Sequence, residues 1–165
     1  MRVFLAVQPS DDLRNALIKV MHETKKLGLG GNYVPAQNLH MTLAFIGEVN
    51  DIEGIKAAMQ AVPLEQYRIS LDGHGFFGDL LYVGVKGNQK IKKYASDLKK
   101  ELDKNGVSYD RSKFEPHITI IRKVTGRRPA SLAIPKQEMT VKKVSLMKSE
   151  QKNGKTVYKE IFSVN

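Results

Sequence analysis

The sequence predicts one domain that mixes strands and helices, of the α+β or α/β class. Short apolar runs rich in strand-forming residues alternate with segments of helical periodicity, and two pairs of predicted strands are joined by turns that contain glycine. A chain of 165 residues is about one domain and can bury a core without disulfides. No low-complexity segment or interdomain linker interrupts the sequence.

The first part of the chain predicts a strand, a helix, a loop and a second helix. The run "VFLAV" at residues 3–7 indicates a buried strand, and Ser10 has the chemistry of a helix N-cap. Apolar residues at helical spacing follow until Gly28, which can end the helix. The stretch "GLGGNYVPAQN" is typical of a loop. A second helix is expected from Asn50, with Glu53 completing a capping box.

The remainder predicts a hairpin, a third helix and a second hairpin. "YRISLDGHGFF" and "LLYVGV" are expected strands on either side of a turn at Gly78-Asp79. Asn88 is the expected cap of the third helix, whose apolar stripe includes Leu98 and Leu102. In the C-terminal segment, Asn153-Gly154 is the strongest short-range signal for a hairpin turn.

Composition and charge limit the classes of function. The chain has no cysteine, which excludes disulfides, thiolate catalysis and cysteine-containing zinc sites. Its net charge is +10, and the charge is uneven: residues 1–80 carry 7 basic and 9 acidic side chains, whereas residues 81–165 carry 20 and 8. A positive field on one half favours a polyanion such as nucleic acid, although solvated lysines would give the same count.

One short pattern occurs twice, as "HMTL" beginning at His40 and "HITI" beginning at His117. On a strand, residues two apart share a face and lie about 6.6 Å apart. His40 would therefore point the same way as Thr42, and His117 the same way as Thr119, with apolar neighbours facing the core. Two such strands can present two imidazoles and two hydroxyls to one cleft.

Two imidazoles across a cleft suit displacement at phosphorus. A neutral imidazole can accept a proton from water while a protonated one donates to the leaving oxygen, and a pKa near 6.5 allows both forms near neutrality. The threonine hydroxyls can donate to phosphate oxygens. A metal site is the rival interpretation, but neither histidine lies in an H-E-x-x-H helix or near a second histidine. His22 is expected on a solvated helix flank, and His74 at a turn or strand end.

Four blocks in order resemble the 2H phosphoesterases, and within them the RNA 2′,3′-cyclic phosphodiesterases, also called LigT-like or 2′-5′ RNA ligases. The blocks are "RVFLAV", "YVPAQNLHMTLAFIGEV", "LYVGVKG" and "FEPHITIIRK". The resemblance implies an α+β fold with two antiparallel sheets flanking a central cleft, helices outside and lobes related by a pseudo-two-fold axis. It also implies a single domain over residues 1–165, with lobes near residues 1–80 and 81–165 that can exchange strands.

The resemblance further implies hydrolysis of an RNA 2′,3′-cyclic phosphate to a 2′-phosphate, with reversible 2′-5′ ligation as a related reaction. His40 would donate a proton to the leaving 3′-oxygen and His117 would accept one from water. Thr42, Thr119 and Arg122 would hold the phosphate. Tyr33 stands where the family often has tryptophan, so base stacking on its ring is expected.

No cofactor, metal or membrane contact is expected, and the chain is expected to act as a cytoplasmic monomer on RNA with a cyclic phosphate end or on a cyclic nucleotide. Two alternatives remain open. One is a phosphodiesterase of small nucleotides such as ADP-ribose 1″,2″-cyclic phosphate, and the other is a non-catalytic RNA-binding module. The paired His-x-Thr strands favour an enzyme over the binding module.

Overall fold

Nine strands and three α-helices make up residues 1–87 and 89–165, the part of the chain that the computed structural model describes. In chain order the elements are β1 (Arg2–Val7), α1 (Asp11–Lys26), β2 (Gly30–Tyr33), a 3-10 turn (Ala36–Asn38), β3 (Met41–Glu48), α2 (Glu53–Ala61), β4 (Tyr67–Phe77), β5 (Leu80–Gly87), α3 (Gln89–Lys104), β6 (His117–Thr125), β7 (Glu138–Val141), β8 (Val144–Lys152) and β9 (Lys155–Val164).

The strands form two antiparallel sheets, which confirms the α+β class. The first sheet has the order β3-β1-β8-β9 and the second the order β2-β6-β5-β4-β7. The sheets come into contact where β3, an edge strand of the first, meets β6 of the second. Each sheet takes strands from both sides of residue 80. The division into lobes near residues 1–80 and 81–165 stays a prediction.

Strand β1 is apolar throughout because it is buried on both faces. Val3, Leu5 and Val7 belong to the main core. Phe4 and Ala6 point the other way and form a small separate apolar cluster with Met147, Phe45 and Tyr158. A central strand covered on both faces reads as a continuous apolar run rather than an alternating one. The predicted buried strand at "VFLAV" is therefore confirmed.

The helices follow their predicted apolar stripes. In α1 the Ser10 hydroxyl accepts a hydrogen bond from the Leu13 amide at 3.2 Å, which confirms the N-cap, and Gly28 follows the last turn with a φ of 85°. Helix α3 buries Leu98 and Leu102 as expected. Its predicted cap, Asn88, lies outside the described residues. No helix of the described chain is long and apolar enough to cross a membrane.

Two local predictions are wrong. The stretch predicted as a loop contains β2 and the 3-10 turn, because Tyr33 and its neighbours pair with β6 rather than remaining free. Helix α2 does not begin at Asn50: its N-cap position is Ile52, with no side-chain capping bond. The carboxylate of Asp51 accepts instead from the Glu53 amide at 3.2 Å, so the predicted capping box does not form.

Candidate active site

His40 is fixed by hydrogen bonds on both ring nitrogens. It lies one residue before β3 rather than within it, so the expected strand position is off by one residue. Nδ1 donates to the carbonyl oxygen of Asn38 at 2.7 Å, and Nε2 lies 3.0 Å from the Thr42 hydroxyl oxygen. Because a carbonyl can only accept, Nδ1 carries a proton in every form of the ring. Nε2 is therefore the atom that gains or loses the exchangeable proton.

His117, at the start of β6, is held by the same kind of hydrogen bond to a backbone carbonyl. Its Nδ1 donates to the carbonyl oxygen of Glu115 at 2.5 Å, again a carbonyl two residues earlier in the chain. This bond fixes the same tautomer, with Nε2 as the exchanging atom. The two histidines thus share the same kind of backbone anchor and the same tautomer, although His40 precedes a strand of the first sheet and His117 begins a strand of the second.

Each imidazole is flanked by a pair of aromatic rings. Phe4 and Tyr158 lie against His40, with ring centroids at 4.8 and 5.2 Å. Phe77 and Tyr82 lie against His117, at 5.2 and 5.3 Å. The rings restrict rotation of the imidazoles and lower the local polarity. Sequence reasoning missed all four rings, because each comes from a strand far along the chain from the histidine it contacts.

The pair beside His117 is partly open to solvent. Phe77 stacks on Tyr82 with centroids 4.5 Å apart, yet 45% of Phe77 is exposed. A Cβ at Gly75 would collide with the Tyr82 hydroxyl, so the absence of a side chain there allows the Tyr82 ring to cross β4. An exposed phenyl ring next to a candidate catalytic histidine is a surface on which a nucleobase can stack.

Burial lowers the pKa of His40 below its ordinary value of 6.5. The hydrogen bond to Asn38 opposes this shift, while the positive charges of Arg122 and His117 add to it. Arg122 and His117 both lie on β6, so this electrostatic influence on the pKa of His40 comes from the second sheet. In the free protein the lowered pKa favours the neutral form of His40 at neutral pH.

The threonines accompany their histidines. Thr42 bonds His40 directly, and Thr119 lies on β6 opposite Tyr82, in the register where His117 faces Gly84. Asn38, whose carbonyl anchors His40, is itself held in place. Its buried side-chain amide donates to the Thr156 carbonyl of β9 at 2.9 Å. The segment before β3 is thereby tied to the strand that carries Tyr158.

Tyr33 is engaged with α1. Its hydroxyl donates to the Leu29 carbonyl at 2.9 Å and lies 3.0 Å from the Thr24 hydroxyl oxygen, while the Lys25 ammonium lies 4.7 Å from the ring centroid. These contacts hold the ring at the outer edge of the second sheet, where β2 pairs with β6. The predicted stacking of a base on Tyr33 stays a prediction.

His74 is closer to the site than the sequence suggested. It lies in β4, and with Tyr82 and His117 it lines a cavity of about 330 Å³. His22 is exposed on α1, as expected. Within residues 1–87 and 89–165, no three histidine, aspartate or glutamate side chains are grouped closely enough to hold a metal ion.

Comparison with known proteins agrees with this architecture. Residues 9–153 match the family model of the 2′-5′ RNA ligase superfamily. The RNA 2′,3′-cyclic phosphodiesterase of Archaeoglobus fulgidus is 30% identical over 129 residues, which cover 74% of this chain and 72% of that protein. The RNA 2′,3′-cyclic phosphodiesterase of Thermotoga maritima is 28% identical over 133 residues, covering 74% and 70%.

Solved structures show the same fold. Escherichia coli LigT in complex with 3′-AMP superposes with a TM-score of 0.86 at 22% identity, over 99% of this chain and 96% of that one. A Thermus thermophilus protein superposes with a TM-score of 0.82 at 24% identity, over 99% and 96%. These neighbours confirm the α+β fold with two antiparallel sheets that the resemblance implies.

Proposed function

This chain belongs to the 2′-5′ RNA ligase superfamily, and from that premise we propose that it hydrolyses RNA 2′,3′-cyclic phosphate ends to 2′-phosphate ends. The observation that carries the proposal is the matched anchoring of His40 and His117, each with Nδ1 bound to the carbonyl two residues before it. Both rings then offer Nε2 to the reaction, one as acid and the other as base.

The proposed reaction is an in-line displacement at phosphorus. Neutral His117 accepts a proton through Nε2 from the attacking water, whose oxygen forms the new bond to phosphorus. The bond from phosphorus to the 3′-oxygen breaks, and protonated His40 donates its Nε2 proton to that oxygen. The product keeps its phosphate on the 2′-oxygen. Each proton transfer of this kind contributes on the order of 10²–10⁴-fold to the rate.

The remaining predicted residues hold the phosphate. The Thr42 hydroxyl, 3.0 Å from Nε2 of His40, can turn to donate to a non-bridging oxygen once substrate is bound, and Thr119 is proposed to do the same from β6. Arg122 supplies positive charge. The bound phosphate in turn raises the pKa of His40, because a nearby negative charge favours the imidazolium. His40 therefore becomes an acid only when substrate is present.

The terminal base is proposed to contact Phe77. This ring is 45% exposed and is supported from beneath by Tyr82, itself beside His117. Stacking of a base on an aromatic ring contributes about 1–3 kcal/mol and tolerates any base. The site would thus accept cyclic phosphate ends without strong sequence preference.

The test is an assay with EDTA present on an oligoribonucleotide that ends in a 2′,3′-cyclic phosphate, followed by mapping of the phosphate in the product. We expect hydrolysis to a 2′-phosphate end in EDTA, since imidazoles supply both proton transfers. A protein carrying both His40→Ala and His117→Ala, purified in the same way, controls for contaminating ribonuclease.

Loss of activity in EDTA with recovery on adding a divalent ion would overturn the proposed chemistry. A 3′-phosphate product would reverse the assignment of the leaving oxygen. ADP-ribose 1″,2″-cyclic phosphate is assayed in parallel, and a preference for it over the RNA end would establish the small-nucleotide alternative instead.

A further inference from the structure

We propose that the RNA strand leading to the cyclic phosphate lies in a basic groove beside α3, outside the two His-x-Thr segments. This groove, called the α3 groove below, is lined by Lys92, Ser96, Lys99, Lys100, Tyr109 and Phe114. The inference rests on the function proposed above and adds a substrate class to it: oligoribonucleotides several residues long, in preference to cyclic mononucleotides.

The groove is formed by one face of the helix and the segment that leads to β6. Lys92, Ser96, Lys99 and Lys100 follow the spacing i, i+4, i+7 and i+8, which places them on a single helical face. Tyr109 and Phe114 close the other side, and the enclosed volume is about 320 Å³. A concave site of this size accommodates about one nucleotide at a time rather than a folded partner.

The lysines of this face form no ion pair with the described part of the chain. Within the described chain, no carboxylate lies within ion-pair distance of Lys92, Lys99 or Lys100. On the neighbouring flank of α3, by contrast, Lys93 pairs with Asp97 at 2.6 Å and Lys104 with Glu101 at 3.1 Å. The helix therefore separates neutralised lysines from lysines whose charge is available to a ligand.

The one carboxylate of the groove is already neutralised. Asp103 accepts from Arg111 at 2.6 Å and from the Tyr109 hydroxyl at 3.1 Å. The ion pair with Arg111 offsets the charge of Asp103. The positive charges of Lys92, Lys99 and Lys100 therefore remain in excess along the groove. Phosphates of a single strand are the complementary ligand, since each contact with a lysine also releases a bound counterion.

Aromatic rings stand between the charges. The Lys99 ammonium lies 5.9 Å from the Tyr109 ring centroid and 5.6 Å from that of Phe114. A basic groove interleaved with aromatic rings is the usual architecture of single-strand binding sites, in which lysines follow the backbone while bases stack on the rings. An acidic peptide would use the lysines but would leave the rings without a partner.

The groove and the cavity beside His117 have Lys92 as a common lining residue. Lys92 also lines the cavity of about 330 Å³ that contains His117 and Tyr82. That cavity also contains Asp72, Lys86 and Glu115, whereas Lys99 and Lys100 line only the α3 groove of the two. A strand whose 3′ end reaches His117 can thus continue past Lys92 toward Lys99 and Lys100.

The test compares two double variants that remove equal charge. Lys99→Gln with Lys100→Gln alters the groove, whereas Lys19→Gln with Lys26→Gln removes two exposed charges from α1. Each is assayed on a 12-nucleotide RNA ending in a 2′,3′-cyclic phosphate and on adenosine 2′,3′-cyclic phosphate, at several salt concentrations. Binding of a 12-nucleotide RNA ending in a 3′-phosphate is measured separately by fluorescence anisotropy.

We expect the groove variant to lose about tenfold in kcat/KM on the 12-nucleotide RNA and to retain its rate on the mononucleotide. The slope of log binding constant against log salt should flatten by about 1.4, because each single-strand contact contributes roughly 0.7. Lys100→Gln alone, at an exposed position, should give about half that change. The α1 variant should behave as the native protein in both measurements.

An unchanged salt slope in the groove variant, or equal losses in the α1 variant, would overturn the proposal. Equal loss on the mononucleotide and on the long RNA would also overturn it, since the groove would then act on the active site rather than on the strand. If the native protein hydrolyses neither substrate, the proposed function is wrong. The anisotropy measurement still decides independently whether RNA binds in the groove.

Discussion

At the scale of single residues, the central feature is that His40 and His117 are anchored in the same way, each by its own backbone carbonyl. In both cases Nδ1 is committed to a carbonyl oxygen two residues earlier, so that only Nε2 can exchange a proton. The repeated His-x-Thr pattern predicted the residues but not this anchor, because a backbone carbonyl carries no signature in the sequence. The pattern also gave no sign of the burial that lowers the pKa of His40.

The pKa of His40 gives a first prediction. Burial lowers it below 6.5, and the positive charge of Arg122 lowers it further. Arg122→Gln should therefore raise the pKa of His40 relative to the native protein, and bound 3′-AMP should raise it in both proteins. The measurement is an NMR titration of the His40 ring, with Arg127→Gln as the control that removes the same charge elsewhere. A His40 pKa unmoved by Arg122→Gln would mean that this arginine does not act at the site.

A second prediction separates the two rings proposed for the base. Phe77→Leu should raise KM for adenosine 2′,3′-cyclic phosphate about tenfold with little change in kcat, since a stacked base contributes about 1–3 kcal/mol. Tyr33→Phe keeps the ring and removes the hydroxyl bonded to Leu29, so it should cost stability rather than affinity. Tyr33→Leu tests stacking at that position. If Tyr33→Leu raises KM and Phe77→Leu does not, the base stacks on Tyr33 rather than on Phe77.

At the scale of elements, the sequence was informative where structure is local. The Asn153-Gly154 turn has φ values of 53° and 73°, the left-handed conformation that these residues favour, and the hairpin of β8 and β9 follows from it. The helices were found from periodicity and from the Ser10 cap. Strand β2 was missed because "GGNY" has no apolar alternation. It exists through pairing with β6, where Gly31 lies too close to the Arg122 carbonyl for any side chain.

Asn38 gives a prediction at this scale, because it joins the turn before β3 to β9. Asn38→Ala removes the 2.9 Å bond to the Thr156 carbonyl and leaves that acceptor without its donor. We expect a loss of about 1–3 kcal/mol in the free energy of unfolding and a fall in kcat, since the carbonyl that anchors His40 becomes less fixed. Urea unfolding and initial rates measure both, with the exposed neighbour Gln37→Ala as control. Unfolding within about 0.5 kcal/mol of the native value would show that the bond contributes little.

At the scale of the whole molecule, the net charge is +10, and some of the basic side chains are engaged in contacts within the protein. Arg127 and Arg128 are adjacent cations in the basic second half of the sequence. Arg128 is engaged within the protein: its guanidinium donates to the Gly78 carbonyl at 2.5 Å and lies 4.2 Å from the Phe76 ring centroid. We therefore expect Arg127→Gln to flatten the salt dependence of RNA binding by about 0.7, and Arg128→Gln to lower stability as well. Equal slopes for the native protein and Arg127→Gln would mean that Arg127 is only solvated.

The most direct test of the account is turnover by His40→Ala, His117→Ala and the double variant on a cyclic phosphate end. Each single variant should lose on the order of 10²–10⁴-fold in kcat, and the double variant much less than the product of the two losses, because acid and base act as a unit. Native kcat should be bell-shaped in pH, with limbs that belong to the coupled pair. Near-native turnover by either single variant would contradict the two-histidine mechanism.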